Sequence, residues 1–163
     1  MLRKLSLLCG LVLAVCLTTH AQGLGDKVEV FGGYSYMHVD NSPSFSTNGW
    51  ELSGQYKVND WLGGVADFDG HYGSGNSIHT FLFGPQVSWP ARVSPFAHLL
   101  IGAGHASAIG EDTGFALALG GGIDTEIVPH FYWRVFQADY LQTNFFGTRQ
   151  DNARISTGIV IHF

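Results

Sequence analysis

Two groups of side chains in this sequence have the types and spacing that chemistry requires. The first is His105-x-Ser107, in the run Gly104-His105-Ala106-Ser107-Ala108. Alternate residues of a strand share a face. An imidazole placed there can take the proton of the hydroxyl and make it a nucleophile, given a carboxylate to orient the ring. Glu111 and Asp112 follow closely, but in a stretch that reads as a loop, and Glu126 falls near the opposite end of the next strand. Without an orienting acid the pair reads as a small polar segment at a strand end. The second group keeps strand parity among apolar neighbours: Glu29, Glu51, Lys57, Asp67, Asp69, His71, His98, Asp124, Gln137, Asp139 and Arg154. The chemistry these residues suggest is mutual pairing rather than turnover. A guanidinium satisfies two carboxylate oxygens at once, so Arg154 is placed to meet carboxylates of strands one, two or seven.

Eight histidines invite a metal, but their spacing does not. His20 lies in the leader, and His38, His71, His79, His98, His105, His130 and His162 are scattered without ligand spacing on any one strand. Strands three to five could bring His71 and His98 together, with interior hydrogen bonding the simpler role for both. No metal or other cofactor is expected. Gly120–Gly122 lies mid-strand and is no phosphate loop.

The elements that must position these groups are strands. Charged residues make up 13% of the chain, about half the usual share, yet the mean hydropathy is only +0.12. Apolar residues are therefore diluted by glycine (22 residues) and uncharged polar side chains, as strands with one greasy and one wet face demand. The chain opens with Arg3 and Lys4, then an apolar run from Leu5 to Leu17, then small residues with Thr19 and Ala21 at the positions a signal peptidase reads. That run has 13 residues, whereas a spanning helix needs about 20. Residues 1–21 are expected to be a cleaved secretory signal and 22–163 a single domain. Both cysteines, Cys9 and Cys16, fall within the signal, so the mature domain would hold no disulfide. Leu13-Ala14-Val15-Cys16 would be a lipidation site but for Val15, and apolar chain rather than a polar tether follows it. Without Arg3 and Lys4 the domain has six basic and 13 acidic residues, a net charge of −7, which disfavours nucleic acid as a partner.

Period-two alternation is clearest in residues 48–58, where Trp50, Leu52, Gly54, Tyr56 and Val58 share one face and Glu51, Ser53, Gln55 and Lys57 the other. The same reading gives eight strands near 27–39, 48–58, 62–72, 78–88, 95–107, 114–127, 131–142 and 152–163. Tight connections at Asn59-Asp60, Pro90–Ser94 and Pro129-His130 alternate with longer ones at Asp40–Thr47, Gly73–Ser77, Ala108–Thr113 and Thr143–Asp151. Aromatics crowd the strand ends: Tyr34, Tyr36, Trp61, Tyr72, Trp89, Tyr132, Trp133, Tyr140, Phe145 and Phe146, as in interfacial girdles. The predicted fold is all-β, an eight-stranded antiparallel up-and-down transmembrane barrel, the tight turns periplasmic and the longer connections extracellular. A soluble lipocalin-type barrel is the alternative, but it would need a charged exterior that this composition lacks. Arg134 resists the scheme. It shares parity with Phe136, Ala138 and Tyr140 and should face lipid, to snorkel or to be turned inward by a bulge.

The chain ends Ser156-Thr-Gly158-Ile-Val-Ile161-His-Phe163. The polar residue, the glycine two on, and apolar residues three and five beyond it resemble the C-terminal signal by which bacterial outer-membrane barrels are handed to their assembly machinery. With this ending, residues 22–163 resemble the small OmpA/OmpX-like outer-membrane barrels; Val28–Val39 looks like their first strand and Gln137–Thr143 like their penultimate one. The resemblance implies residence in the bacterial outer membrane, contact with its lipid and lipopolysaccharide, recognition by assembly machinery through Ser156, Gly158, Ile161 and Phe163, and a monomeric barrel. The peptidoglycan-binding domain of full-length OmpA-type proteins has no counterpart here. The implied role is structural, with the ionisable cluster as a rigid plug and the surface loops open to ligands. A narrow pore is the alternative. His105-x-Ser107 is also similar to a pair in outer-membrane lipid A deacylases, but the residues flanking it in that family are missing.

Overall fold

A computed structural model describes residues 27–40, 44–73, 75–107, 111–145 and 147–163. The expected signal peptide and its cleavage point lie outside the described residues. Eight strands follow in order: β1 Val28–Asp40, β2 Phe45–Lys57, β3 Leu62–Gly73, β4 Asn76–Ser88, β5 Val93–Ser107, β6 Glu111–Val128, β7 Phe131–Phe145 and β8 Thr148–His162. Each pairs antiparallel with its neighbour, and β8 closes on β1 from Asp40↔Asp151 to Glu29↔His162. Closure leaves no free edge. The described residues begin and end at one rim of the barrel, where Phe163 N donates to Val28 O at 2.8 Å. We call this the turn end and the opposite one the loop end.

The register fixes the barrel's shape. From Tyr36 it runs through Asn48, Tyr72, Ser77 and Ser107 to Glu111 on β6; the other way, through Ile155 and Ala138, it reaches Gly121. The difference between Glu111 and Gly121 is a stagger of ten residues, which for eight strands means a tilt of roughly 40–45°.

Turn-end connections have local causes. Asn59 Oδ1 accepts from the backbone N–H of Trp61 and Leu62 at 3.1 and 2.8 Å, closing the β2–β3 turn. Pro129 presets the first position of the β6–β7 turn and His130 takes the left-handed second one, at φ 69°. Loop-end connections are shorter than the sequence suggests. Pairing continues to Val39↔Phe45 and Phe145↔Thr148, with Gly147 at φ 69° turning the last hairpin. Toward this end the outward residues Gln142, Asn144, Arg149 and Asp151 are polar, so alternation fades there while the backbone ladder persists. That is why residues 143–151 read as a loop.

The outer face is apolar: Leu52, Phe68, Phe81, Phe83, Leu99, Ile101, Phe115, Leu119, Ile155 and Ile159 are all exposed. Trp61, Trp89, Trp133 and Phe163 are exposed toward the turn end, and Tyr34, Tyr36, Tyr72 and Tyr140 toward the loop end. Two aromatics expected in these girdles belong inside. Phe145 is buried against the apolar cluster, and Tyr132 stacks on His162. Phe146 lies outside the described residues. Inside, Met37, Val39, Ile78, Leu82, Leu100, Leu141 and Phe145 form one apolar cluster. Interior glycines make room for large neighbours: a Cβ on Gly120 would fall 1.9 Å from Asp139 Oδ1, and one on Gly122 2.9 Å from Phe96 Cζ.

Candidate functional site

Among the described residues, most charged side chains inside the barrel fall into three groups. The first surrounds Arg154 on β8, which is 0% exposed. Its Nε and Nη2 donate to Asp139 Oδ2 at 2.9 and 2.7 Å, Nη2 donates to Asp67 Oδ2 at 2.7 Å, and Nη1 donates to Asp69 Oδ2. Glu51 Oε2 stands 3.7 Å from Nε. The partners thus come from β2, β3 and β7; β1 contributes none, and β3 joins because the guanidinium reaches across the lumen. Around this centre Gln137 Nε2 donates to Glu51 and Asp139 at 2.8 and 2.7 Å, and Thr80 donates to Asp69 at 2.7 Å. Ser156 contacts Glu51 and Ser35 at 2.5 and 2.9 Å. His98 Nε2 lies 2.8 Å from Asp139 Oδ1, whereas His71 lies 3.3 Å from Asp69 and 3.0 Å from Ser35. The two histidines therefore serve different carboxylates and do not share a site. One guanidinium thus holds four carboxylates out of water, an arrangement that rigidifies and offers no free nucleophile.

The second group was legible only as an anomaly. Arg134 is 4% exposed and points inward. A β-bulge between Arg134 and Gln137 turns both Val135 and Phe136 outward, so that Arg134 and Gln137, of opposite parity, both face the lumen. Nε and Nη2 of Arg134 donate to the two oxygens of Asp124 at 2.8 and 2.9 Å, and Nη1 donates to Gln137 Oε1 at 2.6 Å. The guanidinium lies 4.3 and 4.2 Å from the ring centroids of Phe31 and Phe96. Such a desolvated cation–π contact is worth about 2 kcal/mol. The parity conflict between Arg134 and Asp139 was the signal available in the sequence, since a bulge reconciles the two.

The third group is at the turn end, where Lys57 pairs with Glu29, and His162 Nε2 approaches Glu29 Oε1 at 3.2 Å. All ten interior residues singled out in the sequence, with His71, therefore line the lumen, divided among these groups.

At the loop end His105 and Ser107 face outward, with Ser107 Oγ 3.4 Å from His105 Nε2. The other ring nitrogen meets the Thr113 hydroxyl at 2.9 Å. A hydroxyl holds the place where a carboxylate would have to stand to stabilise an imidazolium. Among the described residues no three His, Cys, Asp or Glu side chains are grouped to hold a metal ion. In the final strand, Ser156 faces the lumen, Ile161 and Phe163 face outward, and Gly158 packs on Gly33, where a Cβ would meet the Gly33 Cα at 2.4 Å.

A closed eight-stranded barrel with an apolar outer wall, aromatic rims and a charged, internally paired lumen is a transmembrane β-barrel. The chain belongs to the outer membrane protein beta-barrel domain family, whose sequence profile matches residues 7–163, and family membership places it in the bacterial outer membrane. Among solved structures it is similar to neisserial surface protein A (NspA), with 16% identity, 84% of this chain and 97% of that one covered, and a TM-score of 0.65. It is also similar to Ail, the attachment invasion locus protein of Yersinia pestis (18% identity, 84% and 99% covered, TM-score 0.58). The N-terminal barrel domain of Pseudomonas aeruginosa OprF is a third such structure (10% identity, 85% and 99% covered, TM-score 0.54). At these identities the likeness is one of fold. No protein of curated function matches the sequence.

Proposed function

We propose that this protein is a structural, monomeric barrel of the outer membrane whose lumen does not conduct, and whose loop end meets outer-leaflet lipid and lipopolysaccharide. One observation carries the reading: side chains fill the lumen, with Arg154 and its carboxylates on one side and the cluster of Met37, Leu82, Leu100 and Phe145 on the other. Eight strands enclose little more volume than side chains need. On this reading residues 1–21 are removed on export, and Ser156, Gly158, Ile161 and Phe163 engage the assembly machinery. Purified protein in planar bilayers should give no conductance steps above the lipid baseline. Steps that change with Arg154→Ala would replace this reading with a narrow pore.

Catalysis at His105 and Ser107 is not part of the proposal, because Thr113 holds the orienting position. Ser107→Ala should leave the mass of lipid A unchanged in the producing cells; a shift would overturn this. Ail has also been solved in complex with the heparin analogue sucrose octasulfate. Polyanion binding is not carried over here. Among the described residues the loop end offers one lysine or arginine, Arg149, and Asp151 and Tyr140 already hold it at 3.0 and 3.1 Å.

A further inference from the structure

The two ends of the lumen differ in kind. At the turn end a cup of about 310 Å³ opens among Glu29, Lys57, Asp124, Glu126 and the stacked rings of Tyr132 and His162, whose centroids are 4.0 Å apart. Asp124, in its wall, is the anion that grips Arg134. Beside it lies a void of about 10 Å³ touching Glu29, Ser53, Gln55, Gln86 and Arg134, the room that one water needs when several polar groups surround it. Gln55 is 6% exposed and its Nε2 has no partner, while its Oε1 accepts from Gln86 at 2.7 Å. Gln86 lines both cavities, and its Oε1 faces His98 Nδ1 at 3.4 Å. Polar groups thus continue without a break from the cup to the carboxylates around Arg154. Toward the loop end the interior is mainly apolar instead, with Met37, Val39, Ile78, Ala116 and Phe145 at most 6% exposed, and the buried Asn152 and Thr143 among them bond to each other at 3.1 Å.

The charge along this passage is one-sided. Glu29, Asp124 and Glu126 stand around the cup and Glu51, Asp67, Asp69 and Asp139 beyond it, against Lys57, Arg134 and Arg154. Arg92, the partner of Glu126 at 3.7 Å, is 92% exposed. Walls of one sign in a low-dielectric cleft concentrate counter-ions, and stacked rings favour an organic cation over an anion.

We propose that the lumen is a blind vestibule: water and small cations of the ammonium class enter it from the turn end as far as the Gln55 void, and nothing enters from the loop end. This rests on the non-conducting reading and adds the side from which the lumen is reached and the chemistry it admits. The test uses three single-cysteine variants, Ser88→Cys in the cup wall, Ser53→Cys at the void and Ala116→Cys in the apolar half, each with Cys9→Ser and Cys16→Ser. Closure is confirmed for each by the difference in gel mobility before and after boiling. The folded proteins are treated with aminoethyl methanethiosulfonate, a cation, or sulfonatoethyl methanethiosulfonate, an anion, and the rates are read by mass.

The cation is expected to modify Ser88→Cys at least about tenfold faster than the anion, a preference that Glu126→Gln reduces. Ser53→Cys should react more slowly and with the cation alone. Ala116→Cys should react only in urea. Equal rates at Ser88→Cys, or no reaction there while Ala116→Cys stays protected, would sink the vestibule and leave the non-conducting reading standing. Modification of folded Ala116→Cys at the rate of Ser88→Cys would sink the non-conducting reading itself.

Discussion

Arg134 grips both carboxylate oxygens of Asp124 across the β6–β7 ladder, at 2.8 and 2.9 Å. In an unbroken strand its side chain would have pointed into lipid. The bulge that turns it inward supplies a buried ion pair and a cation between two rings. Removing one partner of such a pair strands the other charge, at about 3–5 kcal/mol. Arg134→Met should cost about that much in urea unfolding from detergent micelles. Arg134→Met with Asp124→Asn should cost less than the two single changes summed, because they share one interaction. Simple additivity would show that the pair contributes no coupling.

Asp139 and Asp67 both hold Arg154, but not equally. Asp139 Oδ2 accepts from Arg154 Nε, Arg154 Nη2 and Gln137, and its Oδ1 pairs with His98. Asp67 makes one such contact, and its Oδ1 has no partner. Asp139→Asn should therefore lower stability by about 3–5 kcal/mol and Asp67→Asn by about 1 kcal/mol or less. The same unfolding series checks the order, and a reversed order would mean that Asp67 is the principal anchor.

Deleting Val135 should be tolerated. The residue faces outward at the bulge, and without it Arg134, Gln137 and Asp139 would fall on one regular inward face. Deleting Ala138, three positions on, leaves the bulge in place and throws Asp139 to the lipid side. A heat-modifiable barrel from the first deletion and none from the second is the expected pair of results.

Deletion of Phe163 should separate folding from delivery if the C-terminal strand is read by assembly machinery as proposed. Its backbone N–H donates to Val28 O at 2.8 Å, but its ring faces outward and contributes little to the interior. Refolding into detergent should be nearly unchanged, while the amount recovered in the outer membrane of producing cells should fall severalfold. Equal loss in both settings would make Phe163 a structural residue alone.

The parts legible in the sequence were those where one face meets lipid and the other does not. β2 from Trp50 to Tyr56 and β8 from Arg154 to Phe163 alternate strictly, because the bilayer punishes any slip of register. The inward set of carboxylates followed from that parity. Two things did not. Where the outward residues turn polar, at Asn144, Arg149 and Asp151, there is no apolar outer face to alternate, and Phe145 in its inward place looks like one more surface aromatic. Nor does parity say who meets whom across a lumen: Arg154 finds Asp67 and Asp69 on β3, three strands away around the wall, because its reach exceeds the spacing of neighbouring strands.

Seven of the eight strand pairings are set by hairpins whose lengths the chain dictates; the eighth, β8 on β1, has no covalent link. A slide of two residues there would keep every side chain on its proper face yet change the ten-residue stagger, and with it the calibre of the whole tube. The seam carries its own keys against that slide. Gly158 sits where only a bare Cα fits against Gly33, and the Ser156 hydroxyl meets Ser35 at 2.9 Å and Glu51 at 2.5 Å. The width of the barrel thus rests on a few atoms at the joint where the two ends of the wall meet.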